Sequence, residues 1–131
     1  GLGPVAVGAS PVAEALSSLA PQFHWSVGHD INGGGTAGQN VIIVATQGQG
    51  DLAALERALS TPADHVAFVG SRKKYQALAE KLADKGIDSD RVASVKAPAG
   101  LDIGAVTPEE IALSILAELV MIRRSEAKSR T

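Results

Sequence analysis

The chain has 131 residues, which is the size of one domain. Although 45% of the residues are hydrophobic, only 3% are aromatic, so the core is built from aliphatic side chains. Such a core is usual for helices packed on a parallel sheet. A net charge of −2 argues against nucleic-acid binding, and the lack of cysteine excludes disulfides, thiolate metal sites and a persulfide carried on these residues. Since the sequence shows neither a long apolar run nor a signal peptide, we expect a cytoplasmic protein without a membrane span.

The first part of the chain alternates between strand and helix signals. Residues 4–7 predict a strand that ends at Gly8, and Ser10 before a proline predicts the N-cap of the first helix. Residues 23–27 predict a second strand. The glycine-rich residues 31–40 predict a flexible loop, which is short for a parallel crossover.

The same alternation continues through the middle of the chain. Residues 41–45 are a continuous β-branched run, typical of a strand buried on both faces. Asp51 is predicted to cap the helix that follows. Residues 65–69 predict another strand, and Ser71 opens a helix that residues 85–86 close.

The last part of the chain predicts a short edge strand over residues 91–95 and then a long helix. Residues 107–110 form a capping box, and the helix they open, over residues 111–124, is apolar nearly all round apart from a thin polar stripe of Ser114 and Glu118. Such a helix is covered on more than one side, which leaves a homodimer or another partner interface open. Residues 125–131 are interpreted as a solvated basic tail.

Because strands and helices alternate throughout, we predict an α/β fold, a single domain with a doubly wound, mostly parallel sheet. In such sheets ligands bind beyond the carboxyl ends of the strands. Four segments of the sequence are expected at or beside that edge.

The first segment follows the first strand and is a degraded dinucleotide-binding turn. Gly8 and Ala9 are followed by Ser10, where the fingerprint has glycine, and Asp30 lies 22 positions after Gly8, about where a ribose-binding acid is found. His29 could take the place of Asp30. The alternative is a tight turn with an acid on the surface.

The second and fourth segments are rich in glycine. In the second, Thr46 precedes two glycines, a weak pattern for backbone amides that approach an anion. The fourth segment is Pro98-Ala99-Gly100-Leu101-Asp102-Ile103-Gly104-Ala105. There two glycines bracket Asp102, which could accept hydrogen bonds from loop amides or from a ligand.

The third segment, Gly70-Ser71-Arg72-Lys73-Lys74, places three cations in the first turn of a helix. Cations at that end oppose the helix dipole, so this placement favours an anion site in which the cations and the free amides hold a phosphate. A solvated basic patch is the alternative.

The histidines offer no catalytic site. His24 and His65 are interpreted as strand residues, and the sequence contains neither a Ser-His-Asp constellation nor a metal-ligand spacing. We therefore predict a binding protein with no catalytic residues and no metal site, rather than an enzyme.

Two of the four segments carry a resemblance to a known family. The runs concerned are Gly70-Ser71-Arg72-Lys73-Lys74 and Gly100-Leu101-Asp102-Ile103-Gly104-Ala105, followed by Thr107-Pro108-Glu109-Glu110-Ile111-Ala112 and Ser114-Ile115-Leu116-Ala117-Glu118. In that order they resemble the C-terminal domain of the XdhC/CoxI family, which comprises accessory proteins of xanthine dehydrogenase and aerobic carbon monoxide dehydrogenase. The resemblance extends from Val5 to about Arg123.

The resemblance implies a Rossmann-like domain that binds the molybdenum cofactor, either molybdopterin or its dinucleotide. Such maturation factors are thought to act as chaperones that protect the cofactor during sulfuration by a cysteine desulfurase and pass it to the apo molybdenum hydroxylase. The positions that match the family's motifs are Gly8, residues 70–73 and residues 100–104. The alternatives are an NAD(P)-binding oxidoreductase domain and a nucleotide-sensing assembly module.

Overall fold

A computed structural model of the chain describes residues 5–23, 41–48 and 50–129. Three parallel strands, β1 (Val5–Val7), β2 (Val41–Val44) and β3 (His65–Phe68), form a sheet in the order β1-β2-β3. In this register Ile43 at the centre of β2 is paired with both neighbours. Beyond β3, Lys96 adds a single parallel bridge to Ala67, so the segment after it also starts from the sheet.

Five α-helices are described together with one 3₁₀ helix. They are α1 (Pro11–Leu19), the 3₁₀ helix (Ala20–Phe23), α2 (Asp51–Leu59), α3 (Arg72–Asp84), α4 (Ser89–Ala93) and α5 (Pro108–Ser129). Successive residues of a strand point to opposite faces. Accordingly, Ile42 and Val44 belong to a core cluster with residues of α2 and α3, whereas Ile43 belongs to a second cluster with residues of α1 and α5. This two-sided packing confirms the predicted doubly wound parallel sheet.

Side-chain caps begin three of the helices where the sequence placed them. The Ser10 hydroxyl accepts a hydrogen bond from the N–H of Ala13 (3.2 Å), and the Ser71 hydroxyl accepts one from Lys74 (3.0 Å). In the capping box Thr107 accepts from the N–H of Glu110 (3.1 Å), and the Glu110 carboxylate accepts from the N–H of Thr107 (2.9 Å). Both predictions, the caps and the box, are confirmed.

The predicted edge strand over residues 91–95 is wrong, because most of this segment belongs to α4 and the turn after it. Asp88 caps α4 by accepting from the N–H of Asp90 (3.4 Å), and Val92 and Val95 are buried at helical spacing. Arg91 fixes the helix in place by donating to the carbonyl of residue 59, the last of α2, and to those of residues 61 and 63 beyond it. Local β propensity is overridden here by the cap and by these long-range hydrogen bonds.

Two helix ends differ from the predicted ones. Gly50, with φ of 75°, is the N-cap of α2, and Asp51, predicted to be the cap, is the first helical residue. The helix α5 continues to Ser129, past the predicted end at Arg124 and into the segment interpreted as a solvated tail. Its last turns contain several good helix formers, which suit a continued helix.

Several predictions fall outside the residues that the structure describes. They are the second strand from residue 24 onward, His29 and Asp30, and the glycine-rich loop over residues 31–40. Phe23, the first residue of that predicted strand, belongs to the 3₁₀ helix instead.

Candidate functional site

The carboxyl ends of β1, β2 and β3, and the segment after the Lys96 bridge, meet at one edge because all of these pairings are parallel. Gly8, Thr46 and Gly70 each lie within two residues of a strand end. The predicted segments 8–10, 46–51, 70–74 and 98–105 are therefore brought to the same side of the domain. The structure then separates them by how their polar groups are used.

The first turn, after β1, packs tightly against the end of β2. Gly8 has φ of 108°, and a Cβ atom there would approach the carbonyl oxygen of Ala45 to 2.7 Å, so only glycine lets the turn pass the end of β2. Ser10 is buried, and its hydroxyl is occupied as the cap of α1. Ala9 is exposed beside it. A ligand at this turn could therefore contact the backbone, but not the Ser10 hydroxyl.

In the second segment, the polar groups bind a buried carboxylate of the same segment. Asp51 is 7% exposed and accepts hydrogen bonds from the Thr46 hydroxyl and from the N–H of Gly48 (3.1 Å), and the ammonium of Lys74 lies 3.3 Å from its other oxygen. Burial raises the pKa of Asp51, but the hydrogen bonds from Thr46, Lys74 and Gly48 outweigh burial and lower that pKa below its ordinary value of 3.8. The Thr46 hydroxyl thus holds Asp51, which in turn fixes the start of α3.

The third segment leaves two cations free at the amino end of α3. Lys74 is paired with Asp51, whereas Arg72 and Lys73 are exposed and form no ion pair with any residue in the described ranges. No acid lies in the first turn of this helix. Gly70 lies directly before the Ser71 cap. A larger residue would not fit there, because a Cβ atom would lie 2.5 Å from the ring of Phe68. The result is a positively charged helix start with exposed side chains.

The fourth segment, residues 98–105, is named here the glycine loop. Gly100 is buried with φ of 92°, and its N–H donates to the Glu118 carboxylate (3.1 Å). The N–H of Leu101 donates to the carbonyl of Ser114 (3.1 Å), so α5 holds the beginning of the loop at two successive amides. After that point Asp102, Ile103 and Gly104 are exposed.

Lys96 and Glu118 complete this anchor. Glu118 is 4% exposed, and its second carboxylate oxygen lies 3.1 Å from the ammonium of Lys96. That ammonium also donates to the carbonyls of Pro98 (2.9 Å) and Gly100 (3.1 Å). The ion pair between buried Glu118 and half-exposed Lys96 therefore fixes both the N–H and the C=O of Gly100.

Sequence reasoning missed this anchor. It assigned Ser114 and Glu118 to a thin polar stripe, whereas both are buried against the glycine loop. A signal was present, since Glu118 is the single acid among apolar residues and lies one helical turn from Ser114. Because an acid is almost never fully buried unless it is paired, a lone acid on an apolar helix indicates a buried partner.

An open cavity of about 580 Å³ lies between the amino end of α3 and the glycine loop. Its walls are Val69, Gly70, Arg72, Lys96, residues 98–105, Ile111 and Ser114. This volume is within the range of about 300–1,000 Å³ typical of small-molecule sites. The third and fourth predicted segments thus share one cavity, while the first and second do not line it.

Two features are absent from the described part of the chain. It holds no group of three or more His, Cys, Asp or Glu side chains that could bind a metal ion. None of its helices is long and apolar enough to cross a membrane.

The sheet, its helices on both faces and the cavity at its carboxyl edge define a Rossmann-type domain. The model of the XdhC Rossmann domain matches residues 5–119, and the chain belongs to that family. It is 36% identical over 86 residues to the uncharacterised protein YqeB of Escherichia coli K12, a stretch that is 66% of this chain and 16% of YqeB. This confirms the resemblance that residues 70–74 and 100–118 carry.

A solved structure shares the fold. A crystal structure described as a xanthine dehydrogenase from Bacillus halodurans superposes with a TM-score of 0.77 at 20% identity, over 99% of this chain and 46% of that one. At this identity the likeness shows the fold alone. The chain spans less than half the length of either relative.

Proposed function

We propose that this domain binds the molybdenum cofactor, as molybdopterin or its dinucleotide, in the cavity between α3 and the glycine loop. We further propose that it is an accessory protein that helps to mature a molybdenum hydroxylase of the xanthine dehydrogenase or carbon monoxide dehydrogenase type, without turnover of its own. The observation that carries the proposal is a cavity with the free cation Arg72 on one wall, next to Lys73 at the same helix start, and an anchored glycine loop on the other. Membership of the XdhC Rossmann-domain family supports the accessory role.

The cations are suited to the phosphate end of the cofactor. Arg72 and Lys73 stand at the positive end of the helix dipole, where each costs a few tenths of a kcal/mol unless an anion is present. A phosphate there gains charge-assisted hydrogen bonds from both side chains and from the free amides of the first turn. The arrangement is unfavourable in the empty protein and favourable in the complex.

The glycine loop is suited to the pterin end. A pterin is a flat ring system with hydrogen-bonding edges, which backbone amides can read without charged side chains. The N–H groups of residues 102–105 donate to no residue of the described part of the chain. Since Gly100 and Leu101 are fixed on α5, these amides are presented from a rigid base.

Sulfuration and delivery require partners in this proposal. The sequence has no cysteine, so a persulfide cannot be carried on these residues. We assign the sulfur donor to a separate cysteine desulfurase, and the recipient of the finished cofactor to the apo hydroxylase. The open side of the cavity is where both would reach the bound cofactor.

The proposal is tested by titrating the purified domain with molybdopterin and comparing two double variants. Arg72→Ala/Lys73→Ala removes both free cations, whereas Arg57→Ala/Lys81→Ala removes two exposed cations away from the cavity and gives the same net charge. We expect the first variant to bind roughly tenfold to a hundredfold more weakly than the wild type, and the second to bind about as well. Equal loss in both variants would reduce the effect to net charge, and no binding by the wild type would refute the proposal.

A further inference from the structure

The long helix α5 has a buried side and an exposed side. The buried side packs on α1 and on the sheet, through residues such as Ile115 and Leu119. The exposed side carries two large apolar side chains, Leu113 (47% exposed) and Met121 (51% exposed), and neither lines the cavity of the proposed site. Single exposed apolar residues are common on proteins, so the spacing of these two residues is the informative feature.

The exposed side of α5 is symmetric about Ala117. Leu113 and Met121 lie four residues before and after it, and Glu110 and Arg124 lie seven residues before and after it. Offsets of four and seven return to the same side of a helix, so the five residues form one stripe. Because Ala117 at its centre is small, the axis of a second helix can approach to about 8 Å.

The two ends of this stripe carry opposite charges. Both hydrogen bonds that the Glu110 carboxylate accepts, from the N–H groups of Val106 and Thr107 (2.9 Å each), go to one oxygen, which leaves the other for a partner. Arg124 is exposed and forms no ion pair with any residue in the described ranges. The stripe is therefore acidic at one end, apolar in the middle and basic at the other end.

We propose that α5 pairs with α5 of a second copy of this chain, antiparallel about a two-fold axis at Ala117. In this pairing Leu113 lies opposite the partner's Met121, and Glu110 lies opposite the partner's Arg124. A two-fold interface must be complementary to itself, and the reversed stripe matches the stripe in both apolar residues and charge. Parallel pairing would instead place like charges together at both ends.

This inference does not rest on the proposed function. One helix pair is smaller than a standard interface of about 1,600 Å², so we expect a dissociation constant in the micromolar range. The dimer is thus expected to form as the protein concentration rises.

The first test is sedimentation equilibrium of the purified chain at about 1 μM to 0.5 mM, a range that brackets a micromolar dissociation constant. Leu113→Gln/Met121→Gln keeps the net charge and good helix formers but removes the apolar middle, and we expect dimerisation at least tenfold weaker. Ala77→Gln, at an exposed position of α3, should leave dimerisation unchanged. A wild type that stays monomeric at 0.5 mM, or equal dimerisation in all three proteins, would overturn the inference.

Charge reversal is a second variant that leaves the apolar residues intact. Arg124→Glu places two acids opposite each other at both ends of the pair, so it should weaken dimerisation, and most strongly at low salt. Since Arg124 is exposed, this change should not affect folding, which circular dichroism checks. Dimerisation as strong as in the wild type at low salt would contradict the antiparallel register.

Single cysteines test the register directly, because the chain has none of its own. Under mild oxidation Ala117→Cys should crosslink to itself, whereas Leu113→Cys should not, since it and its copy are about 12 Å apart along the antiparallel pair. A mixture of Leu113→Cys and Met121→Cys should crosslink to each other, and Ala77→Cys measures random collisions. Self-crosslinking of Leu113→Cys as fast as that of Ala117→Cys would show a parallel pair and overturn the inference.

Discussion

Replacing Glu118 by alanine removes the buried anchor of the glycine loop. The N–H of Gly100 then loses its acceptor in a buried position, which costs about 1–3 kcal/mol. Breaking a fully buried ion pair costs about 3–5 kcal/mol. The Lys96 side chain is 43% exposed and can be solvated after the change, so the loss of the ion pair adds little to the cost at Gly100. We expect a total loss of about 2–3 kcal/mol in the free energy of unfolding.

Urea denaturation of three variants measures this loss. Glu118→Gln keeps an acceptor for Gly100 but removes the charge, and we expect it to lose about 1 kcal/mol. Glu80→Ala removes an exposed acid on α3 as a control and should change stability by no more than about 0.5 kcal/mol. The reasoning is refuted if Glu118→Ala unfolds at the same urea concentration as Glu80→Ala.

Three further predictions concern glycine geometry and titration. Gly86 has positive φ and no neighbour near its missing side chain, so Gly86→Ala should cost about 1–2 kcal/mol in the free energy of unfolding. Gly100→Ala should cost more, because its new Cβ atom would also collide with Ser114. Equal losses in the two variants would contradict that collision. Because the pKa of Asp51 is lowered from 3.8, its carboxylate stabilises the fold above that pH, and the advantage over Asp51→Asn should shrink as pH falls through the lowered value. An advantage that is constant with pH would argue against this. Burial raises the pKa of Tyr75, the single tyrosine, to about 12, so tyrosinate absorbance should rise near pH 12. Stability should fall as the pH increases from about 10 to about 12. An absorbance midpoint at pH 10 would show that the ring is not buried.

Features set by neighbouring residues could be predicted from the sequence. The caps at Ser71 and Thr107 depend on hydrogen bonds across three residues, so the residue pattern alone specifies them. The strand β2 is a continuous β-branched run that fits burial on both faces. The order of these elements was sufficient to predict the doubly wound sheet.

Features that depend on distant partners could not be predicted. Arg91 and Val92 have strand-like neighbours, but carbonyls near the end of α2 and the cap at Asp88 make the segment a helix. In the same way, Glu118 contacts Gly100 across 18 positions, and no local pattern shows that pairing. The four candidate segments were correctly placed at the carboxyl edge of the sheet, yet which of their polar groups are free became clear only from the contacts.

The central claim is that the cofactor lies between the amino end of α3 and the glycine loop. Its most direct test is an amide NMR spectrum of the isotope-labelled domain, recorded before and after addition of molybdopterin. We expect the largest shifts at Gly70, Arg72 and residues 102–105, which line the cavity. Shifts confined to the opposite end of the strands, or no shifts at saturating cofactor, would contradict the account.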